Sequence, residues 1–206
     1  NRRRAETPPF NLFLMRTICR RVVSAMVIGF ALLASAAPDG NAAEAKPEAG
    51  LIMTITSGTE QESSVAKNVA LHVEAGKAAS PFVTGGAFTA TWEGSINADL
   101  RGNFSFQADL NGSLKVEVNG AVVLDASGTS GASPLTRPVQ LNKGPNAFKA
   151  SFTSAGKGDS FVRLAWTEKP PFTGPILPTA FTHTDSVELK KWVELRLGRE
   201  LFLNHR

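Results

Sequence analysis

The sequence predicts an all-β chain: an antiparallel β-sandwich or barrel, with a secretory signal ahead of it and an amphipathic helix behind it. Three observations carry this reading. Phe88, Ala90 and Trp92 alternate with Thr89 and Thr91, and the pattern returns at Phe104, Phe106 and Ala108 and again at Leu114, Val116 and Val118. That period of two is the mark of half-buried strands. Asn119-Gly120 then separates Val118 from the short apolar run Ala121 to Leu124, a two-residue hairpin signal because both turn positions must accept positive φ. Finally, turn signals recur roughly every 8–12 residues, as in sandwiches and barrels, and no helical periodicity interrupts residues 50–167.

The chain of 206 residues carries a formal charge of +4. Residues 1–43 hold six Arg against Glu6 and Asp39, which leaves sixteen basic and sixteen acidic residues in 44–206. The basic balance therefore belongs to the leader, and nucleic-acid binding loses its electrostatic support. Within the leader, Arg16, Arg20 and Arg21 follow Met15, the apolar run Val22 to Leu33 comes next, and Ala34-Ser35-Ala36-Ala37 closes it. A charged region, an apolar stretch and small residues make a secretory signal starting at Met15, with cleavage near Ala36 or Ala43. Residues 1–14 read as sequence upstream of that start. The apolar run falls short of the roughly 20 residues of a membrane span, so membrane contact is expected only through this segment if it stays uncleaved. Cys19, the only cysteine, lies in the leader, so disulfide and thiol chemistry are not expected of the folded part. The expected localisation is periplasmic or secreted.

Residues 44–49 read as a linker rich in Ala, Pro and charge. Gly50 to Thr56 is a first strand, Ser57 to Lys67 a polar loop, and Val69 to Val73 a short strand with His72 outward. His72 has no second His or acid at metal-ligand spacing, so it is expected at the surface and no metal is expected. Residues 75–87 form a Gly-, Ala- and Ser-containing loop. In the central run, Asp109, Asn111 and Gly112 are turn-forming residues between two strands. Ala126 to Ser133 is a Gly/Ser loop, Val139 and Leu141 begin a strand, and Asn142-Lys143-Gly144 is a turn. Asn146 to Thr153 is a strand with Phe148 and Phe152 opposite Lys149 and Ser151, and Phe161 to Trp166 closes the set. Either Phe161 and Leu164 or Val162 and Trp166 face inward. Asp125 and Asp159 are expected in turns. Trp92 and Trp166 could serve as sugar-stacking platforms, but their place in alternating strands favours core packing. The expected core is Phe88, Trp92, Phe104, Phe106, Val116, Val118, Phe148, Leu164 and Trp166.

The order of these features resembles the PA-fourteen domain, a module of secreted enzymes, adhesins and toxins. Phe88, Trp92 and Gly94 form an F-x-x-x-W-x-G strand, Gly102, Phe104 and Phe106 a G-x-F-x-F strand followed by Asp109, and Val116, Val118 and Gly120 the hairpin. Leu141, Gly144, Asn146 and Phe148, then Arg163, Leu164 and Trp166, complete the pattern over about residues 50–170. The resemblance implies a β-sandwich or barrel that binds carbohydrate or a cell-surface polymer without catalysis. In the sugar-binding branch an Asp pair after the G-x-F-x-F strand holds calcium, which holds sugar hydroxyls; oxygen ligands suit that cation. Here the corresponding stretch is Asp109-Leu110-Asn111-Gly112, without the pair. Asp109, Asn111 and Gly112 are the candidate ligand-binding residues.

Lys169 to Pro178 contains four Pro and one Gly, cannot continue a central strand, and opens a linker over 169–184 that ends the β domain of 50–168. From Asp185 onward Val187, Trp192, Leu195 and Leu201 are spaced by charges, an amphipathic helix with Asp185 or Ser186 as its cap. Gly198-Arg199-Glu200-Leu201-Phe202 with Asn204-His205-Arg206 resembles the approach to a c-type cytochrome domain. There a G-x-x-L-F helix runs into C-x-x-C-H, whose Cys bind haem and whose His ligates iron. No C-x-x-C-H occurs in these 206 residues, so haem c is expected only if a parent chain continues into one. The tail is thus either the start of a truncated cytochrome domain, at 185–206, or a helix docked on the sandwich. No Ser/His/Asp set, carboxylate pair, phosphate loop or zinc spacing points to an enzyme. The sequence-level expectation is an exported binding module, the front part of a periplasmic electron-transfer cytochrome; the alternative is a stand-alone secreted carbohydrate-binding or adhesion domain.

Overall fold

The computed structural model describes residues 46–204 other than 130 and 156, with the backbone alone at 187, 188 and 199–204. The expected signal segment and Cys19 lie outside the described residues. The fold is an antiparallel β-sandwich in which one strand belongs to both sheets.

Strand β5 (Thr89–Ala98) is the centre of the first sheet. One edge pairs with β9 (Gly144–Ser154) over its whole length, from Thr89↔Thr153 to Ala98↔Gly144. The other edge takes β2 (Leu51–Ser57) and then β12 (Phe181–His183). Beyond β2 lies β3 (Glu60–Ala66), and beyond β12 lies β1 (Glu48–Ala49). On the far side, β9 pairs with the second half of β6 (Gly102–Val118), which turns at Asn119-Gly120 into β7 (Ala121–Gly128). Asn119 and Gly120 have φ of 51° and 79°, as that hairpin turn requires. The second sheet is built on the first half of β6: Ser105–Asn111 pair with β10 (Ser160–Thr167). The outer edge of β10 takes β4 (Ala70–Val73) and β11 (Gly174–Pro175). The other edge of β6 takes β8 (Val139–Leu141).

The 17 residues of β6 replace the two strands and turn expected there. Every even-numbered side chain from Phe104 to Leu110 and from Leu114 to Val118 is buried, so the strand keeps one phase throughout. Gly112 falls on that inward phase. Its φ is 136°, and a Cβ there would stand 2.5 Å from the Thr153 carbonyl oxygen and 2.7 Å from the Phe152 ring. Glycine thus admits Phe152 to the core at the corner where β6 passes between sheets, a use of strand glycine that local composition cannot distinguish from a turn.

Other expectations are corrected by polar pairing. The stretch read as a polar loop after Ser57 is β3, an edge strand whose buried residues are Glu62 and Ser63; Ser63 bonds Thr54, and Glu62 accepts a bond from Ser80. The Gly/Ser loop read over Ala126 to Ser133 begins as the end of β7, and its far end stitches the free edge of β6: Ala108 N–H donates to Ser133 Oγ at 3.0 Å, and Ser133 N–H to the Ala108 carbonyl. Asp125, expected in a turn, is in β7 opposite Lys115. The described parts of the linkers expected at 44–49 and 169–184 are not free connections. Glu48 and Ala49 pair with β12, and Ile176, Phe181 and His183 are buried. A Pro-rich chain can add short edge pairings and apolar side chains without continuing a central strand.

Phe88, Trp92, Phe104, Phe106, Val116, Val118, Phe148 and Leu164 are buried as expected. In β10 the inward set is Val162 and Leu164, while Trp166 is only partly buried at the rim. Asn146, 1% exposed, ties the turn before β9: its Oδ1 accepts from Asn142 N–H and Asn119 Nδ2, and its Nδ2 donates to the Asn142 and Gly144 carbonyls, all within 3.0 Å. Helix α1 (Val187–Asn204) is capped by Ser186, whose Oγ accepts from Leu189 N–H at 3.0 Å. The helix docks through buried Leu189, with Arg196 reaching Glu62 at 3.6 Å. Leu195, expected on its apolar face, is 54% exposed.

Candidate functional site

The two ends of β6 are chemically distinct surfaces. At its start, Phe104 lies beside Trp166 near the end of β10, the rings stacked with centroids 4.6 Å apart and planes at 24°. The pair lines a cleft of about 640 Å³ together with Asn97, Asp99, Thr167, Glu168 and Lys169. Strand alternation brings Trp166 to the inner face of β10, but it comes at the strand's end, where the core runs out, so its ring is shared between core and cleft. Asn97 is held by its own amide, which donates to the Ala180 carbonyl at 3.1 Å and Thr182 Oγ1 at 3.0 Å. The arrangement offers an aromatic surface framed by an amide, two carboxylates and an ammonium group. Such a mixture suits a ligand with one apolar face and hydroxyls at its edges.

At the bend, the candidates read from the sequence separate. Asp109 and Asn111 lie on the outward phase of β6, opposite Arg163 and Phe161 of β10, whereas Gly112 faces the core. Asn111 and Gly112 border a groove of about 430 Å³ with Ser113, Ser127, Thr129, Ser154 and Lys157. Asn111 Nδ2 donates to the Asp159 carbonyl oxygen at 2.5 Å. The Asp159 carboxylate is engaged elsewhere: Oδ1 accepts from Ala75 N–H at 2.9 Å and Oδ2 stands 3.6 Å from His72 Nε2. Among the described residues lining this groove there is no carboxylate, and Lys157 supplies a positive charge. A calcium ion needs several oxygen ligands, carboxylates foremost, so these residues do not fit one.

His72 is an exposed strand residue, as expected, and stacks near Phe161 with centroids 6.5 Å apart. The two tryptophans weighed as platforms divide. Trp92 is 0% exposed, and its buried indole N–H has no partner among the described residues; Trp166 borders the cleft. Asn97, Asp99 and Glu168 were not singled out from the sequence. The signal available was the polar run Thr167-Glu168-Lys169 at a strand end, but its meeting with the loop after β5 depends on sheet order. Among the described residues no helix is long and apolar enough to cross a membrane.

No family model matches the chain, and no curated protein matches it. Solved structures do. An anti-sigma factor domain-containing protein from Clostridium clariflavum aligns at TM-score 0.57 and 12% identity, covering 68% of this chain and 48% of that one, so the chain spans about half the length of that relative. The PA14 domain of the MpAFP antifreeze protein aligns at TM-score 0.54 and 11% identity, covering 68% and 94%. The PA14 sugar-binding domain of an RTX adhesin aligns at 0.53 and 13%, covering 66% and 98%. The Epithelial Adhesin 6 A domain of Candida glabrata, solved with Galb1-3GlcNAc, aligns at 0.51 and 14%, covering 69% and 90%. The fold is PA14-like.

Proposed function

We propose that this chain is an exported, non-catalytic carbohydrate-binding module that takes neutral sugar units in the Phe104–Trp166 cleft without calcium. The observation that carries this reading is the stacked pair, with Trp166 partly exposed in a cleft that also contains Asn97, Asp99 and Glu168. A pyranose has an apolar C–H face and polar edges. Its face lies on the Trp166 ring, while Asp99 and Glu168 accept from its hydroxyls and Lys169 donates. Two carboxylates beside one ammonium group disfavour uronic acids and other anionic sugars, since like charges repel. The sugar-binding RTX adhesin domain and the Candida adhesin domain, which share the fold, support the ligand class.

The groove at Asn111 and Gly112 is the competing sugar surface, with hydroxyl and amide contacts and the Lys157 ammonium group. A glycan array probed with the full chain in EDTA tests calcium-free carbohydrate binding, and Trp166→Ala in the same assay separates the cleft from the groove. Retention on neutral glycans that calcium does not change is expected. Absence of retention overturns carbohydrate binding, and retention that requires calcium overturns the cleft mechanism.

The same module has a second reading as the exported front part of a c-type cytochrome in the periplasm. It is favoured by α1, where Val193, Leu195 and Leu197 are 45–54% exposed in the helix that carries the Gly198 to Phe202 pattern. Val193 and Leu197 share one side of the helix at i, i+4 spacing while Leu195 lies on the other; burial of apolar side chains is what stabilises such a helix, and a following haem domain would cover them. A genomic frame that reads through Arg206 into C-x-x-C-H supports it; a stop codon there refutes it.

A further inference from the structure

We propose that Glu48, His183 and Asp185 form a binding site for a divalent transition-metal ion, of which zinc is the type, joining the first strand of the domain to its last. The three side chains come from distant parts of the sequence. Glu48 of β1 lies directly opposite His183 of β12 in the strand register, and Asp185 follows two residues later, before α1. One ligand atom from each lies within 4.8 Å of the other two. The carboxylates stand toward solvent, whereas His183 is 4% exposed.

The histidine is what distinguishes this cluster from a surface group of acids. His183 Nδ1 is 3.2 Å from the Gly50 carbonyl oxygen. A carbonyl can only accept, so Nδ1 carries a proton, and in the tautomer this bond selects Nε2 is the nitrogen that can offer a lone pair to a metal ion. Nε2 is buried and has no partner among the described residues. A buried acceptor left unmet has a cost, and a ring fixed by an Nδ1–H bond to a backbone carbonyl is the usual posture of a metal-bound histidine. One imidazole nitrogen and two carboxylate oxygens suit zinc or its first-row neighbours better than calcium or magnesium, which take oxygen almost exclusively. Bonds of about 2.0–2.2 Å require the carboxylates to draw in slightly, which rotation of the exposed Glu48 side chain provides. Lys190 Nζ holds Asp185 Oδ2 at 3.0 Å and competes with a cation for that carboxylate.

The consequence is structural. A bound ion ties β1, β12 and the cap region of α1 at one point, and binding to the folded state alone raises stability by mass action. The experiment is calorimetric titration of the full chain, freed of metal by chelation, with zinc chloride, alongside thermal unfolding with and without zinc. One zinc per chain and a higher unfolding midpoint are expected. Glu48→Gln with Asp185→Asn, both at exposed positions, should weaken binding by about tenfold or more and remove the rise in midpoint, while Lys190→Met should tighten binding. His183→Ala also empties a buried position, so the two carboxylate substitutions decide the matter. No zinc uptake, or equal uptake by the Glu48→Gln/Asp185→Asn variant, with the ion then on Cys19, His72 or His205, would overturn the proposal.

Discussion

The two ends of β6 share one strand and one burial phase but present opposite chemistry. At Phe104 the core reaches the rim, and the strand contributes an aromatic ring to a cleft that contains Asp99 and Glu168. Eight residues later, at Gly112, the core invades the strand: Phe152 takes the space a side chain would use, and the groove outside holds hydroxyls and Lys157. Of the residues that look most like a ligand site in the sequence, Asp109 and Asn111 point outward along β6 and Gly112 turns into the core at the sheet corner. The end that looks like plain core stacks Phe104 against the open ring of Trp166 in β10. A site on a sandwich is set by where the core stops, and that depends on which strands become neighbours.

Closing the corner is among the largest expected effects. Gly112→Val sets a branched side chain against the Thr153 carbonyl and the Phe152 ring at a φ of 136°. It should lower unfolding free energy by about 3 kcal/mol or more, combining backbone strain and overpacking, seen as a fall in urea midpoint at unchanged slope. A shift below about 1 kcal/mol would mean that the bend does not depend on glycine.

Next comes the contrast between the tryptophans. Trp92→Ala should cost about 3–5 kcal/mol, as for other large core truncations, because Trp92 is 0% exposed. Trp166→Ala should cost distinctly less stability but remove sugar retention. Equal costs in the two variants would place Trp166 in the core after all. Trp92→Phe should be milder than Trp92→Ala, since it leaves a smaller cavity and the indole N–H it removes has no partner among the described residues.

The smallest effect belongs to the outer face of the first sheet, where Lys115 meets Glu117 at 2.7 Å and Lys149 meets Glu93 at 2.7 Å. The hydrogen bond and charge of Lys115 hold the Glu117 carboxyl below its ordinary value, and those of Glu93 raise Lys149. A carboxylate lowered by folding stabilises above its unfolded pKa, and that contribution fades as pH falls through the folded value. The lysine's contribution is present below its unfolded pKa and fades as pH rises through its folded one. Glu117→Gln should therefore lower the thermal midpoint slightly near neutral pH, with the gap closing in acid and shrinking in high salt. A gap that widens in acid would contradict the assignment.

Alternation made most of the sandwich legible. The inward residues of β5, β6 and β9 could be read by parity, and Asn119-Gly120 fixed the hairpin because the backbone there demands positive φ. What escaped was structure held by polar groups. Strand β3 buries Glu62 and Ser63 instead of apolar side chains, and the edge of β6 is stitched by Ser133, the last residue of a stretch that reads as loop, and by Thr136 beyond it. The helix was legible in position and cap, but its contact was not: Leu189 is buried and Leu195 exposed, because the surface it meets comes from β3 and the segment around Phe82. The cleft was half legible. Trp166 was visible as a candidate platform, whereas Asn97 and Asp99 reach it only through the pairing of β5 and β12 and the curl of the two sheets.

The most direct test of the central claim is a pull-down on insoluble neutral polysaccharides in EDTA, comparing the unaltered chain with Trp166→Ala and with Asn111→Ala/Lys157→Ala. Retention of the unaltered chain and of the groove variant, with loss of at least about tenfold in affinity, equivalent to about 1.4 kcal/mol, for Trp166→Ala, is the predicted result. Retention that survives Trp166→Ala and disappears with the groove variant would place recognition at the bend of β6 and contradict the account.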